Sequence, residues 1–287
     1  MLVERIDMDN IVEIDGKKIG HGYDVFVIAE LGINHNGDFD LAKQLIDKAV
    51  WAGADAVKLQ SYITEKRVSK DAPIFGILKQ CEFSFDQQEK LFQYAHDKGI
   101  TAFSTPFDNE SVDFLSSVNV PCYKIASFDL VNKKLLDKVA AKGKPVIMSR
   151  GMASRDEIDE AMAIMNKSDR EVILLHCISA YPVLSQSSLN LSTIRALQVR
   201  YQCPVGFSDH TLDIMASEYA VAAGASVIEK HFTLSRKSKG PDHALSTEPS
   251  QMKNMIGKIR LVSRLMGEPV WSSIPEEENI LQYRRTS

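Results

Sequence analysis

The sequence predicts an α/β protein with a (β/α)8 (TIM) barrel, and two observations favour that fold. Eight short apolar runs rich in Val, Ile and Phe recur along the chain, mostly continuous, as expected of parallel strands buried on both faces. Amphipathic segments of helical period separate them, and this alternation repeated eight times is typical of the barrel. An open doubly wound sheet is disfavoured, because no GxGxxG motif follows the first run. The runs are residues 25–32, 56–60, 101–106, 122–127, 145–151, 172–182, 204–210 and 227–233.

Local signals place helices between these runs. Residues 40–51 repeat apolar side chains at helical spacing and stop just before Gly53. Ser84 with Gln87, and Ser154 with Glu157, form capping boxes that predict helix starts. Three further glycines occupy positions typical of helix C-termini: Gly99, Gly143 and Gly224.

The chain divides into one large domain with two short flanking segments. The barrel is placed at residues 23–272, a size at which α/β barrels are commonly one domain. Residues 1–22 form an N-terminal extension, in which Asp15 and Gly16 predict the turn of a β-hairpin covering the barrel bottom. Residues 273–287 are charged and are interpreted as a linker-like tail.

Composition excludes several classes of function. The formal net charge of -4 is small and well mixed, so no nucleic-acid partner is expected. The four cysteines share no CxxC spacing, which argues against a zinc knuckle or a disulfide framework. The sequence has no signal-peptide pattern and no apolar stretch of the roughly 18–20 residues that a membrane span needs. We therefore expect a cytoplasmic protein without a membrane partner.

Polar side chains end every predicted strand. Catalytic groups of such barrels lie at the carboxyl ends of the strands, so we expect these side chains to meet in one site. They are Glu30, Lys58, Gln60, Ser104, Thr105, Lys124, Ser127, Ser149, Ser179, Tyr181, Ser208, His210, Glu229 and His231.

Side chains two residues apart in a strand lie on the same face, and on this basis the residues divide into a metal-binding pair and an anion-binding group. His210 and His231 share the inward parity of adjacent strands, so both imidazoles should reach one divalent metal ion. Oxygens from substrate and water would complete an octahedron suited to Mn²⁺ or Mg²⁺. Lys58 and Lys124, together with the strand-end serines, form a cradle for a small anion carrying phosphate and carboxylate groups.

Three other polar residues have a chemical and a structural interpretation. Glu30 is either an acid–base or hydroxyl-binding group, or the ion-pair partner of a barrel lysine. His35 lies in a loop above the first strand, where it could line the substrate pocket. Arg150 fits either a phosphate on the acceptor or a surface salt bridge.

At these residues the sequence resembles the sialic acid synthase family, the N-acetylneuraminate synthases and their relatives that make other nonulosonic acids. The resemblance covers residues 26–267, and its combined motifs are highly specific. The matching stretches are residues 26–37, 53–60, 103–107, 123–127, 175–182, 206–211, 228–233 and 240–243.

The resemblance implies an enzyme that condenses phosphoenolpyruvate with an open-chain aldose in a metal-dependent reaction. Glu30, Lys58, Lys124 and Glu229 are then the expected catalytic residues, with His210 and His231 as metal ligands. It also implies a homodimer. Phosphoenolpyruvate is expected on the lysines and on Ser127, Ser149, Ser179 and Ser208, and the sugar on Glu30, Gln60, Tyr181 and Asp242, with Thr105 as a further substrate-binding residue.

Three alternatives stay open. The tail resembles the linker into the C-terminal antifreeze-like domain of the family, so we expect a barrel domain without that domain, whose sugar could differ or carry a phosphate. A Schiff-base aldolase would use Lys58, Lys124 or Lys230, but it leaves both histidines unexplained. A catalytically silent barrel that binds sugar or phosphoenolpyruvate is the third alternative.

Overall fold

The computed structural model describes residues 10–169 and 171–285. Part of the predicted N-terminal extension, residues 1–9, lies outside the described residues. So do residue 170 and the last two residues of the predicted tail, 286 and 287.

Eight parallel strands close into a barrel, which confirms the predicted fold. Each barrel strand pairs with the next one along the chain, and the last barrel strand pairs with the first. Nearly every residue of these strands is buried, as the continuous apolar runs predicted. The strands are β1 (Val12–Ile14), β2 (Lys17–Ile19), β3 (Phe26–Glu30), β4 (Ala56–Ser61), β5 (Thr101–Pro106), β6 (Tyr123–Ile125), β7 (Val146–Ser149), β8 (Val172–Cys177), β9 (Val205–Asp209) and β10 (Val227–His231).

Helices follow the barrel strands and cover their outer faces. Ser84 and Ser154 cap their helices through the predicted capping boxes, and Gly53 ends the first helix with a left-handed backbone. Two short helices, Thr64–Arg67 and Phe75–Cys81, follow the second barrel strand. The helices are α1 (Phe39–Ala52), α2 (Thr64–Arg67), α3 (Phe75–Cys81), α4 (Phe85–Asp97), α5 (Asn109–Ser117), α6 (Lys133–Ala140), α7 (Arg155–Lys167), α8 (Ser192–Tyr201), α9 (Met215–Ala222) and α10 (Pro249–Met266).

Some predicted strand ends lie too far along the chain. β6 stops at Ile125, β8 at Cys177 and β9 at Asp209, so several predicted strand-end groups belong to the following loops. The error arises because polar residues beyond a strand carry no periodicity that marks the boundary. These loop residues are Ser127, Ser179, Tyr181 and His210.

A β-hairpin of β1 and β2 closes the bottom of the barrel. Its turn is formed by Asp15 and Gly16, both with positive φ. Three of its apolar side chains, Val12, Ile14 and Ile19, pack in one buried cluster with inward-facing residues of the strands. The barrel interior is therefore filled at its N-terminal end.

The C-terminal segment is exposed. Residues Pro275–Tyr283 form a 3-10 helix, and almost all of their side chains are exposed. In the part of the chain that the structure describes, no helix combines the length and the apolar character needed to cross a membrane.

The hairpin should contribute measurably to stability. Ile14 is fully buried, so Ile14→Ala should lower the free energy of unfolding by about 2–4 kcal/mol through lost burial and a cavity. Urea denaturation measures this change. Glu13→Ala, an exposed change on the same strand, should alter it by less than about 0.5 kcal/mol. Equal effects of the two changes would contradict the packing role of the hairpin.

Candidate active site

A cavity of about 520 Å³ lies at the carboxyl ends of the barrel strands. Every predicted site residue except Ser104 and Ser179 lines it. Ser179 contacts the lining through a hydrogen bond to Ser127, whereas Ser104 hydrogen-bonds to Ser61. The carboxyl ends of all eight barrel strands and the loops beyond them therefore contribute to one polar pocket, as the sequence predicted.

Two lysines and two glutamates form a buried charge network at the deep end of this cavity. The Lys58 ammonium lies 2.8 Å from Glu30 and 3.5 Å from Glu229. Lys124 lies 3.9 Å from Glu229, and all four side chains are at most 7% exposed. The structural interpretation of Glu30, an ion pair with a barrel lysine, is therefore observed, and it leaves Glu30 in contact with the cavity.

The two lysines differ in how well their charges are compensated. Burial lowers the pKa of Lys58, but the charges of Glu229 and Glu30 more than offset this and raise it overall. Burial also lowers the pKa of Lys124, and there Glu229 only partly offsets the lowering, to which Lys58 adds. An anion entering the cavity would compensate Lys124 most, since that cation has the least help from the protein.

Glu229 is the carboxylate that holds both cations. Burial alone would raise its pKa, but Lys124 and Lys58 lower it to about 2. One carboxylate oxygen also accepts a hydrogen bond from Ser208 at 2.9 Å. Glu229 is therefore ionised at neutral pH.

Hydroxyl groups surround the lysines. Lys124 donates to Ser149 at 2.6 Å and Lys58 to Thr105 at 3.2 Å, while Ser127 and Ser179 lie 2.9 Å apart. Their close approach requires glycine at position 151, where φ is +44° and an added Cβ would lie 2.3 Å from the Ser127 Cβ. These donors can bind the oxygens of a phosphate or carboxylate.

The two predicted metal ligands lie side by side. The ring centroids of His210 and His231 are 5.7 Å apart, and Tyr181 packs on His210 at 4.2 Å. Burial, with the charge of His231, lowers the pKa of His210 to about 4, so its imidazole is neutral. Its Nδ1 lies 2.7 Å from the carbonyl oxygen of Ile178 and donates to it, which leaves the Nε2 lone pair for a ligand.

His231 also has an uncommitted ring nitrogen. Its Nδ1 is buried without a hydrogen-bond partner and lies 3.7 Å from an Asp242 carboxylate oxygen. The two imidazoles thus fit a shared divalent ion. Within residues 10–169 and 171–285, no three His, Cys, Asp or Glu side chains are arranged to hold a metal, so substrate and water would have to complete its coordination.

The outer part of the cavity is built around Gln60. Its amide nitrogen donates to Glu30 at 3.0 Å, and its amide oxygen accepts from Arg67 at 3.0 Å. Both ends of the amide are therefore fixed in one orientation. Asp242 approaches the same region. Its Oδ2 would lie 3.4 Å from a Cβ built on Gly32.

A second buried ion pair lies behind the site. Lys230 and Asp209 have the opposite parity to the cavity residues, and their charged groups are 2.9 Å apart. Asp209 accepts hydrogen bonds from Thr211 and Ser217, so the pair anchors the loop that carries His210.

The roles that the sequence suggested for His35 and Arg150 are wrong. His35 lies outside the cavity lining, because its ring stacks on Phe83 at 4.2 Å and its Nδ1 accepts from Gly37. Among the residues that the structure describes, Arg150 neither lines the cavity nor forms a surface salt bridge. Its guanidinium donates to His176 at 3.0–3.2 Å and to the carbonyl oxygen of Gly151.

Sequence analysis missed two charged groups of the cavity, Arg67 and Asp129. Arg67 lies on α2, beyond the end of its strand, where strand-end reasoning does not reach. Asp129 follows Ser127 by two residues in the loop after β6 and gave no signal of its own.

Another cavity, of about 590 Å³, lies at the opposite end of the barrel between residues 20–25 and helices α8, α9 and α10. It is slightly larger, but its charged side chains are those of the protein surface. Of these two cavities, as lined by the described residues, the one at the carboxyl ends is the one lined by buried charged side chains, so we assign the active site there.

Fold and site together define a (β/α)8-barrel protein with a cation-lined, hydroxyl-rich pocket beside two imidazoles. The sequence model of the NeuB family matches residues 45–270, and the chain belongs to that family.

Similar proteins agree with this assignment. An uncharacterized protein of Methanocaldococcus jannaschii is 46% identical over 96% of this chain and 82% of its own length. The N,N'-diacetyllegionaminic acid synthase of Campylobacter jejuni is 37% identical over 91% of this chain and 83% of its own. The crystal structure of an N-acetylneuraminic acid (sialic acid) synthetase from Leptospira borgpetersenii, in complex with citrate, superposes with a TM-score of 0.93, 37% identity and 96% coverage of both chains.

Two buried histidines outside the cavity should make stability depend on pH. Burial lowers the pKa of both His35 and His176 from 6.5 to about 4. The unfolded chain then binds protons between about pH 6.5 and 4 that the folded chain does not. The stability that each neutral ring contributes, at most roughly 3 kcal/mol, is complete above pH 6.5 and is lost as pH falls towards 4.

Urea denaturation at a series of pH values measures this loss, and NMR titration assigns it to each ring. His96→Gln, a change at an exposed helix residue, should leave the slope unchanged. A flat stability profile between pH 6.5 and 4 would contradict the burial of neutral His35 and His176.

Proposed function

We propose that this chain condenses phosphoenolpyruvate with an open-chain sugar aldehyde, N-acetylmannosamine or a related hexose. The products are a 2-keto-3-deoxy nonulosonic acid and phosphate, released with C–O cleavage. The observation that carries the proposal is the convergence of Lys58, Lys124 and a set of hydroxyl groups beside two imidazoles in one cavity. Membership of the NeuB family supports it, as do relatives named as legionaminic acid and sialic acid synthases.

Phosphoenolpyruvate would occupy the deep end of the cavity. Its phosphate and carboxylate groups match the cationic charge of Lys58 and Lys124 and the donors on Ser127, Ser149 and Ser179. The incompletely compensated charge of Lys124 would favour both binding of the anion and departure of phosphate.

We further propose that His210 and His231 hold a divalent metal ion, Mn²⁺ in preference to Mg²⁺ or Co²⁺. When bound, it would polarise the aldehyde oxygen as a Lewis acid. The fixed Nδ1–H of His210 and the unpartnered Nδ1 of His231 support this assignment.

The chemical steps leave defined tasks to the glutamates. C3 of phosphoenolpyruvate attacks the aldehyde carbon, water adds at C2, and phosphate leaves as its bond to C2 breaks. Glu229, ionised with a pKa of about 2, would stabilise the positive charge that develops at C2 before water adds. Glu30, between Lys58 and Gln60, would bind a sugar hydroxyl or move a proton at the new alkoxide.

A Schiff-base aldolase is the rival chemistry. Lys124 has the lowered pKa that such a nucleophile needs, but its ammonium is already bonded to Ser149 and to the carbonyl oxygen of Ile125. Borohydride trapping with pyruvate would detect it. The homodimer that the resemblance implies stays a prediction, which sedimentation equilibrium tests.

The decisive assay follows phosphate release and product mass from metal-stripped protein given phosphoenolpyruvate and a panel of aldoses, with and without Mn²⁺. We expect phosphate release that needs both metal and aldose, and a fall of roughly 100-fold or more in His210→Ala. His96→Ala, an exposed change, is the matched control and should keep full activity. If neither phosphoenolpyruvate nor Mn²⁺ binds, the synthase proposal fails.

Adding one methyl group at position 151 should weaken the binding of phosphoenolpyruvate. In Gly151→Ala the new Cβ would overlap Ser127 and lie 2.5 Å from the Ser179 Oγ, at a backbone φ of +44°. We expect the KM for phosphoenolpyruvate to rise about tenfold or more while the affinity for Mn²⁺, measured by calorimetry, is kept. Gly257→Ala, on α10 with open space around it, should change neither. An unchanged KM in a folded Gly151→Ala protein would contradict the assigned cradle.

A further inference from the structure

Arg67 has no assigned role in the reaction, yet its guanidinium lines the active-site cavity. It is held over the Phe107 ring at 3.6 Å and beside the Tyr62 ring at 4.7 Å, so its position is fixed by packing. Within the described residues its hydrogen bond is the one to Gln60, and no carboxylate lies within ion-pair distance. A guanidinium has five N–H donors, so most of its donors remain for a ligand.

An apolar wall borders this guanidinium. Ile33 and Leu78 are buried in a small cluster of their own, against which Val68, Ile74 and Phe107 pack. All five of these side chains line the cavity. Hydroxyl groups of a sugar gain nothing from such a wall, whereas a methyl group placed on it is removed from water.

The charges near Arg67 decide what kind of group its donors bind. Burial lowers the pKa of Arg67 overall, and the charges of three nearby carboxylates, on Asp129, Asp242 and Glu30, offset this only in part. Among the described residues none of the three is close enough to pair with the guanidinium, which therefore keeps its donors for an acceptor on a ligand. A sugar phosphate there would meet the repulsion of these carboxylates and gain nothing from the apolar wall, whereas an acylamino group offers a neutral carbonyl oxygen to the donors and a methyl group to the wall.

We propose that Arg67 and the apolar wall form a subsite for the acylamino group of the sugar acceptor. The amide carbonyl accepts from the Arg67 guanidinium, and the acyl methyl packs on Val68 and Ile74. This inference rests on the proposed function, because it assumes that the acceptor is a sugar. It selects acylamino hexoses over their hydroxyl and phosphate counterparts, and it places that selection on a loop of the barrel itself.

The test compares kcat/KM for N-acetylmannosamine, mannose and mannose 6-phosphate in the intact chain with Mn²⁺. We expect the wild-type protein to prefer the acetamido sugar over mannose by ~10- to 100-fold. Arg67→Met keeps the length of the side chain but removes its donors, and should reduce that ratio roughly tenfold or more. Ile74→Asn, at the half-buried wall, should reduce the same ratio.

Lys66→Met is the matched control, because Lys66 lies on the same helix and pairs with Glu110 at the surface. It should leave the ratio unchanged. Equal losses on mannose and N-acetylmannosamine in Arg67→Met would overturn the subsite, since they would mean that Arg67 only positions Gln60. A preference for mannose 6-phosphate that disappears in Arg67→Met would overturn it as well.

A binding measurement separates this inference from the proposed reaction. Saturation-transfer NMR should show strong transfer to the acetyl methyl of N-acetylmannosamine in the wild-type protein and a selective loss in Arg67→Met. Turnover of the panel without this pattern would leave the synthase standing and overturn the subsite. The pattern without any turnover would support the subsite and count against the synthase.

Discussion

The buried charge network at the barrel mouth is the constraint on which the rest of the site depends. Two ammonium groups are held almost out of water by two carboxylates, so the four groups balance one another without any ligand. Burying an ammonium group there without a charged partner would strongly destabilise the folded protein. The balance is uneven, since Glu229 contacts both lysines and Glu30 pairs with Lys58 alone. Lys124 is therefore where an incoming anion gains most.

The network also connects the two ends of the cavity. Glu30 contacts Lys58 on one side and Gln60 on the other, and Gln60 in turn contacts Arg67. An ion pair and two hydrogen bonds therefore connect Lys58, at the deep end of the cavity, with Arg67 at its outer end. Each partner fixes the orientation of the next, which is how a pocket made from loops keeps a defined geometry.

Sequence reasoning found the barrel and nearly all of its deep site, and the reasons are physical. Strands buried on both faces produce apolar runs, and their carboxyl ends must meet, so Lys58, Lys124 and Glu229 could be placed together before any coordinates. Arg67 escaped because it lies on a short helix whose position depends on tertiary packing against Tyr62 and Phe107. Arg150 was misjudged for the same reason: its residue type indicated charge, whereas its partner, the buried His176, is distant in sequence.

The left-handed backbone at Gly151 has an evolutionary consequence. Any residue with a side chain would strain the backbone there and overlap Ser127, so we expect glycine to be retained at this position during evolution. Arg67, Val68 and Ile74 instead lie on or beside short helices outside the barrel wall, where substitutions leave the strands intact. If these residues select the sugar as proposed, a duplicated gene could diverge in its acceptor by changing this one segment after β4, while the proposed phosphoenolpyruvate end of the pocket is kept.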